Sequence, residues 1–359
     1  MFAALAAHGH TYPLLPLAVA AATAGHDVVF AAGEPFLPVL RKAGLCARPA
    51  GLGMRTAFTG SAAGPEAVGR VLGDVLPRRM VADLEPLIAE HRPDVVIHDV
   101  ATLGAPLAAR LHDVPALGHT FGRMFSDDMS TAMVEAYTAF AAELGVPADV
   151  GGPVLDICPD SLQDKDFLAR ADRVPVRPCG WRECGALVER TAGRPLVYVT
   201  LGTAYATADV LRTLVDGLAR LPVDVLVATG PAVDPAALGD VPEHVRVRDW
   251  VPQSALLPHV DLVVHHGGSG TMLGAFAAGK PQLVVPRGAD HFTNAAAVVD
   301  AGAGLRLLGP ELSVDAVTVS AGSLLADGER QAAARRVAEE IAAMPSPSDI
   351  AVRLPTLIG

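Results

Sequence analysis

Apolar runs of strand length alternate with longer stretches of helical period in two series along the chain, and no other feature of the sequence restricts the fold as tightly. A strand followed by a helix, repeated, builds a parallel sheet covered by helices on both faces, so the expected fold class is α/β with doubly wound domains. In the first series residues 1–6, 27–32, 93–98 and 115–118 read as strands, with helices over about 13–24, 35–43 and 105–111. In the second, strands fall at 195–201, 223–229, 245–247, 262–265 and 281–286. A Gly202-Thr203 turn follows the first of these, and helices cover 209–220 and 272–278. Residues 50–80 and 119–150 carry no regular period and suit long loops and short helices, while 151–193, dense in Pro, Arg and Asp, reads as a connection.

A length of 359 residues corresponds to two domains of the usual size, about 150 residues, and 51% apolar residues are enough to give each a core. The expected division is an N-terminal domain over 1–185 with its linker at about 171–193, a C-terminal domain over 194–344, and a tail over 345–359 that can cross back onto the first domain. The formal net charge of −11, with 28 Lys and Arg against 39 Asp and Glu and no basic run, lacks the electrostatic footprint of a nucleic-acid binder. Cys46, Cys158, Cys179 and Cys184 show no C-x-x-C spacing, and a chain of this size needs no disulfide staples. Reduced thiols and a cytoplasmic location are therefore expected. Neither a signal-peptide pattern nor an uninterrupted apolar stretch of about eighteen residues is found, so membrane insertion is not expected.

Four short segments carry chemistry. In Asp261-Leu-Val-Val-His-His-Gly-Gly-Ser-Gly-Thr271 a strand enters a Gly-rich turn and then a helix. Free N–H groups at a helix start, with the positive end of its dipole, make an anion site, and glycine lets a phosphate approach the backbone. His266 can donate a hydrogen bond to a phosphoryl oxygen and Thr271 offers a hydroxyl beside the same helix start, while His265 points the other way and reads as a satisfied core histidine. A turn needed only for tight strand-to-helix packing is the competing reading. Just upstream, Trp250 in Asp249-Trp-Val-Pro-Gln253 either stacks on a nucleotide base, with backbone groups reading the base edge, or fills the core.

His10, in Leu5-Ala-Ala-His-Gly-His-Thr-Tyr-Pro13, stands where the first strand gives way to the first helix, the carboxyl-end junction at which open parallel sheets bind ligands. An imidazole there suits a general base, because its ordinary pKa lies near neutrality, or it caps the helix. Asp99 closes the strand Val95-Val-Ile-His-Asp99 and should face the same crevice. Within hydrogen-bond reach it would fix the tautomer of His10 and stabilise its imidazolium; otherwise it caps the next turn.

Other chemistries fit poorly. Asp290 follows Gly270 at the distance of a ribose-binding carboxylate, but a dinucleotide series beginning at Gly268 and Gly270 needs glycine at 273, which is Leu273. No G-K-[ST] follows the turn and no G-x-S-x-G occurs, which removes the P-loop and the hydrolase elbow. Asp164-Lys165-Asp166 and Asp127-Asp128 read as solvated charge clusters, no His/Cys group has zinc spacing, and neither a metal nor another cofactor is expected.

Taken together, His10 in A-A-H-G-H-T-Y-P, Asp99 in V-I-H-D, T-L-G-T at 200–203, W-V-P-Q at 250–253, H-H-G-G-S-G-T at 265–271 and A-D-H-F at 289–292 resemble the GT-B glycosyltransferases over nearly the whole chain. The resemblance is nearest to bacterial natural-product enzymes that attach deoxysugars to polyketide or macrolide aglycones, most of all the enediyne, calicheamicin-type members. It implies two Rossmann-like domains facing a central cleft, with a nucleotide-sugar donor on the C-terminal half and a hydrophobic small-molecule acceptor on the N-terminal half. His10 would deprotonate the acceptor hydroxyl with Asp99 in support. Trp250 would stack on the base, with Gln253 near the nucleoside; His266, Gly270 and Thr271 would hold the diphosphate and Asp290 would lie near the sugar hydroxyls, with Gly202, Thr203, Val251, Gly268, Ser269 and His291 as further donor-binding residues. Attack opposite the departing diphosphate gives inversion, with the leaving charge met by N–H groups rather than a metal.

Phe58, Phe121, Met124, Phe125 and Met129, from the irregular stretches of the first half, are candidates for the apolar acceptor pocket or for ordinary core, and a homodimer is a possible assembly. Two departures from the family pattern matter. Many UDP-sugar relatives carry, eight residues after the phosphate histidine, a Glu that grips the ribose diol; that position is Gly274 here, which favours a 2′-deoxyribose and hence a dTDP-sugar. His291 stands where Gln is usual, which alters the expected sugar contacts. A UDP-sugar enzyme acting on a lipid, sterol or other small acceptor is the alternative, and a nicotinamide-dependent oxidoreductase a distant third.

Overall fold

The computed structural model describes residues 1–59, 64–124, 131–149, 152–170, 172–181 and 191–358. The chain forms two compact units, the first made of Met1–Cys179 with Pro345–Gly359 and the second of Gly180–Met344. The first contains β1 (Phe2–Ala3), β2 (Val29–Ala32), β3 (Cys46–Pro49), β4 (Val96–Asp99), β5 (Ala116–His119), β6 (Val154–Asp156) and β7 (Arg173–Pro175). They form one sheet in the order β3-β2-β1-β4-β5-β6-β7, every pair parallel. The second contains β8 (Leu196–Thr200), β9 (Asp224–Ala228), β10 (Val245–Arg248), β11 (Leu262–His265), β12 (Gln282–Val284) and β13 (Gly304–Arg306), in the parallel order β10-β9-β8-β11-β12-β13.

Both sheets reverse their winding once, between β1 and β4 in the first unit and between β8 and β11 in the second. Connections on either side of such a point leave for opposite faces, and a crevice opens beyond the carboxyl ends of the two strands. The central strands β1, β8 and β11 are largely apolar because both faces are covered. In β8, Val197 and Val199 pack with Leu211, Leu214 and Leu218, while the alternate residues Leu196 and Tyr198 pack with Leu256, Val263 and Ala275. The first unit's core joins Ala3, Ala31 and Val96 to Leu84, Ile88, Leu107 and Phe140 of its helices.

Three sequence expectations need correction. Residues 151–193 are not merely a connection, since β6, β7 and the helix Lys165–Arg170 extend the first sheet before the unit ends at Cys179. Strands of three residues are too short to show a period. In 50–80 and 119–150 the short helices expected are joined by longer ones. The helix Pro65–Arg70 runs through one wider turn, Val71–Val75, into Leu76–His91, and Thr131–Glu143 is a further helix. Gly69 and Gly73, which weaken the helical pattern, are where these helices cross, for a side chain at Gly69 would come within 2.7 Å of the Ala132 methyl. The edge strands β3 and β13 were not expected either.

The helix Pro347–Leu357 begins at a Ser346–Asp349 capping box and packs on the helix His8–Thr23, and His26 Nε2 donates to the Ala351 carbonyl at 3.0 Å. Among the described residues no helix is long and apolar enough to cross a membrane.

Candidate active site

At the reversal of the first sheet, β1 ends and the chain turns through the extended Ala7 into the helix His8–Thr23, which carries His10 in its first turn. Asp99 is the last residue of the neighbouring β4. The two meet: His10 Nδ1 lies 3.0 Å from Asp99 Oδ2, the imidazole side chain 21% exposed and the carboxylate fully buried. A buried carboxylate requires donors, and Asp99 accepts from the Thr102 hydroxyl at 3.0 Å and the Ala101 N–H at 3.3 Å. Asp99 thus caps the following turn while lying within 3.0 Å of the His10 ring. Nearby, His98 and His119 are buried along the strands, and loss of hydration lowers both pKa values, that of His119 to about 4.

An aromatic ring covers His10 on another side. Phe121, just beyond β5, packs its ring on the imidazole with centroids 4.6 Å apart. Phe58 joins a cluster with Leu5, Leu76 and Ala101, and a small pocket lined by Leu5, Leu52, Met80 and Thr102 opens beside it. Met124 is half-buried, its N–H donated to Gln163 Oε1 at 2.8 Å. Phe125 and Met129 lie outside the described residues, as do Asp127 and Asp128. Asp164 is not a solvated charge. Its Oδ1 accepts from the N–H groups of Asp166 and Phe167 at the start of a helix, and its Oδ2 pairs with Arg123 at 3.2 Å.

At the reversal of the second sheet, β11 runs into His266-Gly-Gly and then the helix Ser269–Ala277. His266 is buried, with Gly202 and Gly268 on either side; a Cβ on either glycine would lie 2.5 Å from its Nε2. Gly202 also has φ +73°, the left-handed region that glycine occupies freely. Burial, with His291 and His265 close by, pushes the His266 pKa well below the ordinary histidine value, so the ring is neutral at pH 7. The His291 ring meets it edge to face at 4.5 Å, and Tyr205 covers His291 at 4.9 Å. His265 is fully buried and satisfied on both sides. Its Nδ1 accepts from the Gly267 N–H at 3.0 Å and its Nε2 donates to Gln282 Oε1 at 2.8 Å.

The remaining donor candidates surround this turn. Gly270 is exposed, with open space where a side chain would project, and Thr271 Oγ1 donates to Gln253 Oε1 at 3.3 Å. Asp290 Oδ2 accepts from Ser269 Oγ at 2.8 Å and from Asn294 Nδ2 at 2.7 Å, which clamps the starts of two helices together. Trp250 is 42% exposed beyond the end of β10, whereas Val251 is partly buried against the core. Thr203 is half-buried in the turn after β8. Among the described residues no three His, Cys, Asp or Glu side chains gather in a way that could hold a metal.

Comparison with known proteins decides the family. Residues 212–357 match the C-terminal domain of erythromycin biosynthesis protein CIII-like proteins. The L-demethylnoviosyl transferase of Streptomyces niveus is 35% identical over 366 residues, spanning 96% of this chain and 94% of the relative. The elloramycin glycosyltransferase ElmGT of Streptomyces olivaceus is 35% identical over 380 residues, spanning 98% and 95%. The crystal structure of SsfS6, a glycosyltransferase of Streptomyces sp. SF2575 complexed with thymidine diphosphate, matches with TM-score 0.83 at 28% identity, covering 99% of this chain and 98% of that one.

The chain belongs to the GT-B glycosyltransferases of natural-product biosynthesis. It is thus an enzyme that transfers sugar to an aglycone, built from two parallel-sheet α/β units. Two residues of this glycosyltransferase's candidate site escaped sequence reasoning. Tyr205 sits in a loop, where no period marks it, and only its aromatic character in a Gly-rich neighbourhood could have drawn attention. Asn294, fully buried, lies four residues beyond Asp290, so a polar side chain inside an apolar helical segment was the available signal.

Proposed function

We propose that this enzyme is an inverting glycosyltransferase that moves a deoxysugar from a dTDP-sugar to a hydroxyl of an apolar polyketide-like or enediyne-like aglycone, with His10 as general base, Asp99 as its support and no metal. The observation that carries the reading is the 3.0 Å pairing of His10 Nδ1 with the buried Asp99 carboxylate where the first sheet reverses. With Nδ1 3.0 Å from the Asp99 carboxylate, the ring takes the acceptor's proton through Nε2, and the carboxylate stabilises the imidazolium that results. As the proton leaves, the acceptor oxygen attacks the anomeric carbon. The bond from that carbon to the diphosphate oxygen breaks, and its electron pair departs with the diphosphate. Attack on the face opposite the leaving group inverts the centre.

The departing charge is assigned to the second unit. The N–H groups at the start of the helix Ser269–Ala277 and the His266 ring form the anion cradle, and such preorganised donors act without a metal. Trp250, exposed beside Gln253, supports the reading of a stacked base. The thymidine preference is supported at Gly274, where a Cβ would lie 2.9 Å from Leu257 Cδ1 and 3.5 Å from Gln253 Nε2. A ribose-gripping Glu would have to push Leu257 aside, so the site favours a sugar ring with no 2′-hydroxyl to satisfy. The Phe121 ring on His10, and the apolar cluster that includes Phe58 elsewhere in the first unit, suit an aglycone rather than a polar acceptor. Calorimetric titration tests the donor half: dTDP is expected to bind at least tenfold more tightly than UDP, with NAD not binding, and equal affinity for the two diphosphates would overturn the thymidine assignment.

A further inference from the structure

We infer that Gln163 is a positioning residue for the base, pinning the segment 120–124 so that Phe121 is held against the His10 ring. This rests on reading His10 as the base. The segment follows β5 with no regular structure of its own, yet its two ends are fixed from inside the first unit. At one end the Thr120 hydroxyl donates to Asp156 Oδ1 at 2.8 Å and accepts from the Ile157 N–H at 3.0 Å. At the other, the Met124 N–H donates to Gln163 Oε1 at 2.8 Å, and Arg123 pairs with Asp164 at 3.2 Å. Phe121 lies between these pins, its ring 4.6 Å from that of His10.

Gln163 joins the two ends. It is buried, and its Nε2 donates to both oxygens of Asp156, at 3.1 and 2.9 Å, while its Oε1 accepts from Met124 and Asp164. Asp156 has no exposure and is balanced by Arg173, whose Nε donates to Oδ2 at 2.8 Å. Only a carboxamide presents a donor to the carboxylate and an acceptor to the two N–H groups from one planar end. A carboxylate at 163 would face Asp156 with like charge, and an apolar side chain would leave the Met124 and Asp164 N–H groups without their acceptor. A network so fully paired holds its members in one arrangement, which a loop bearing the wall of a catalytic ring needs.

The test reads the His10 ring directly, by NMR titration of histidine-labelled enzyme, with the His10→Ala variant identifying its signals. Gln163→Met, close to glutamine in volume, is expected to move the His10 titration midpoint by about half a pH unit or more. Phe121→Leu should move it comparably, and the double variant should move it little further, because the two act in series. A Gln163→Met protein that unfolds cooperatively and keeps the wild-type His10 midpoint overturns the inference, as do effects of the two substitutions that add in full. Should Gln163→Met fail to fold, Arg123→Ala, which frees only the outer pin, carries the same reading: a displaced midpoint supports the inference and an unchanged one overturns it. Unimpaired turnover in His10→Ala would remove the base assignment and leave the ring measurement standing, so the two readings fail separately.

Discussion

The two sheet reversals share one topology and hold histidine to opposite purposes. In the first unit His10 is partly exposed and sits against a buried carboxylate, an arrangement that stabilises the charged ring. In the second, His266 is buried between glycines with two more histidines near it, and its ring is kept neutral. The same residue type at equivalent ends of parallel strands thus meets a carboxylate in one unit and further imidazoles in the other, which is what the proposed roles of base and uncharged donor rest on. What differs is the residue that closes the adjoining strand or follows it: Asp99 beside His10, His291 beside His266.

Substituting His10→Ala should divide the two regions most sharply. Turnover is expected to fall by about 10² to 10⁴, the usual worth of general-base help, while dTDP affinity measured by calorimetry stays within about twofold. Retained turnover would erase the contrast. Acid comes next. His119 in the first unit and His265 in the second are buried neutral, with pKa values lowered to about 4 from 6.5. Below pH 6.5 the unfolded chain takes up protons that the native one refuses, so their stabilising contribution is whole above that pH and drains away towards pH 4, on the order of 3 kcal/mol for each. His98, His266 and His291 shift in the same direction, so the second unit, with three such rings against two, should lose protection from hydrogen exchange first.

Smaller effects sharpen the picture on the second side. Gly268→Ala places a methyl 2.5 Å from His266 Nε2 and must displace the ring. The loss of a hydrogen bond to a charged group predicts dTDP binding weaker by about 10- to 100-fold, with the His10 titration unmoved. Trp250→Ala should weaken dTDP by only about two- to tenfold, the worth of one aromatic stack at a half-exposed position, and an unchanged affinity would take the indole out of the donor site.

Much of this was legible in the sequence because period and spacing report local structure. The strand at 262–265 and the glycine turn after it stand where the motif placed them, and buried strands such as β8 are apolar enough to be seen without help. The pairing of His10 with Asp99 could be anticipated only as two strand ends facing one crevice, because their distance depends on which strands become neighbours. Asp164 and Gln163 were illegible for a different reason. They lie among strands of three residues, where no period develops, and their roles come from partners far along the chain, Arg123 and Met124. The burial of His291 was not legible, for composition says nothing of it: its ring lies inside, against His266 and Tyr205, with Nδ1 accepting the Arg287 N–H at 3.4 Å.

The helix Pro347–Leu357 adds a temporal consequence. It completes the unit that contains His10, yet the ribosome makes it only after all of the second unit has been synthesised. Nascent first-unit chain must therefore wait with one flank of its opening helix bare, while the intervening unit is free to finish folding alone. A stop codon introduced at Pro345 should thus injure the oldest part of the polypeptide and spare the younger.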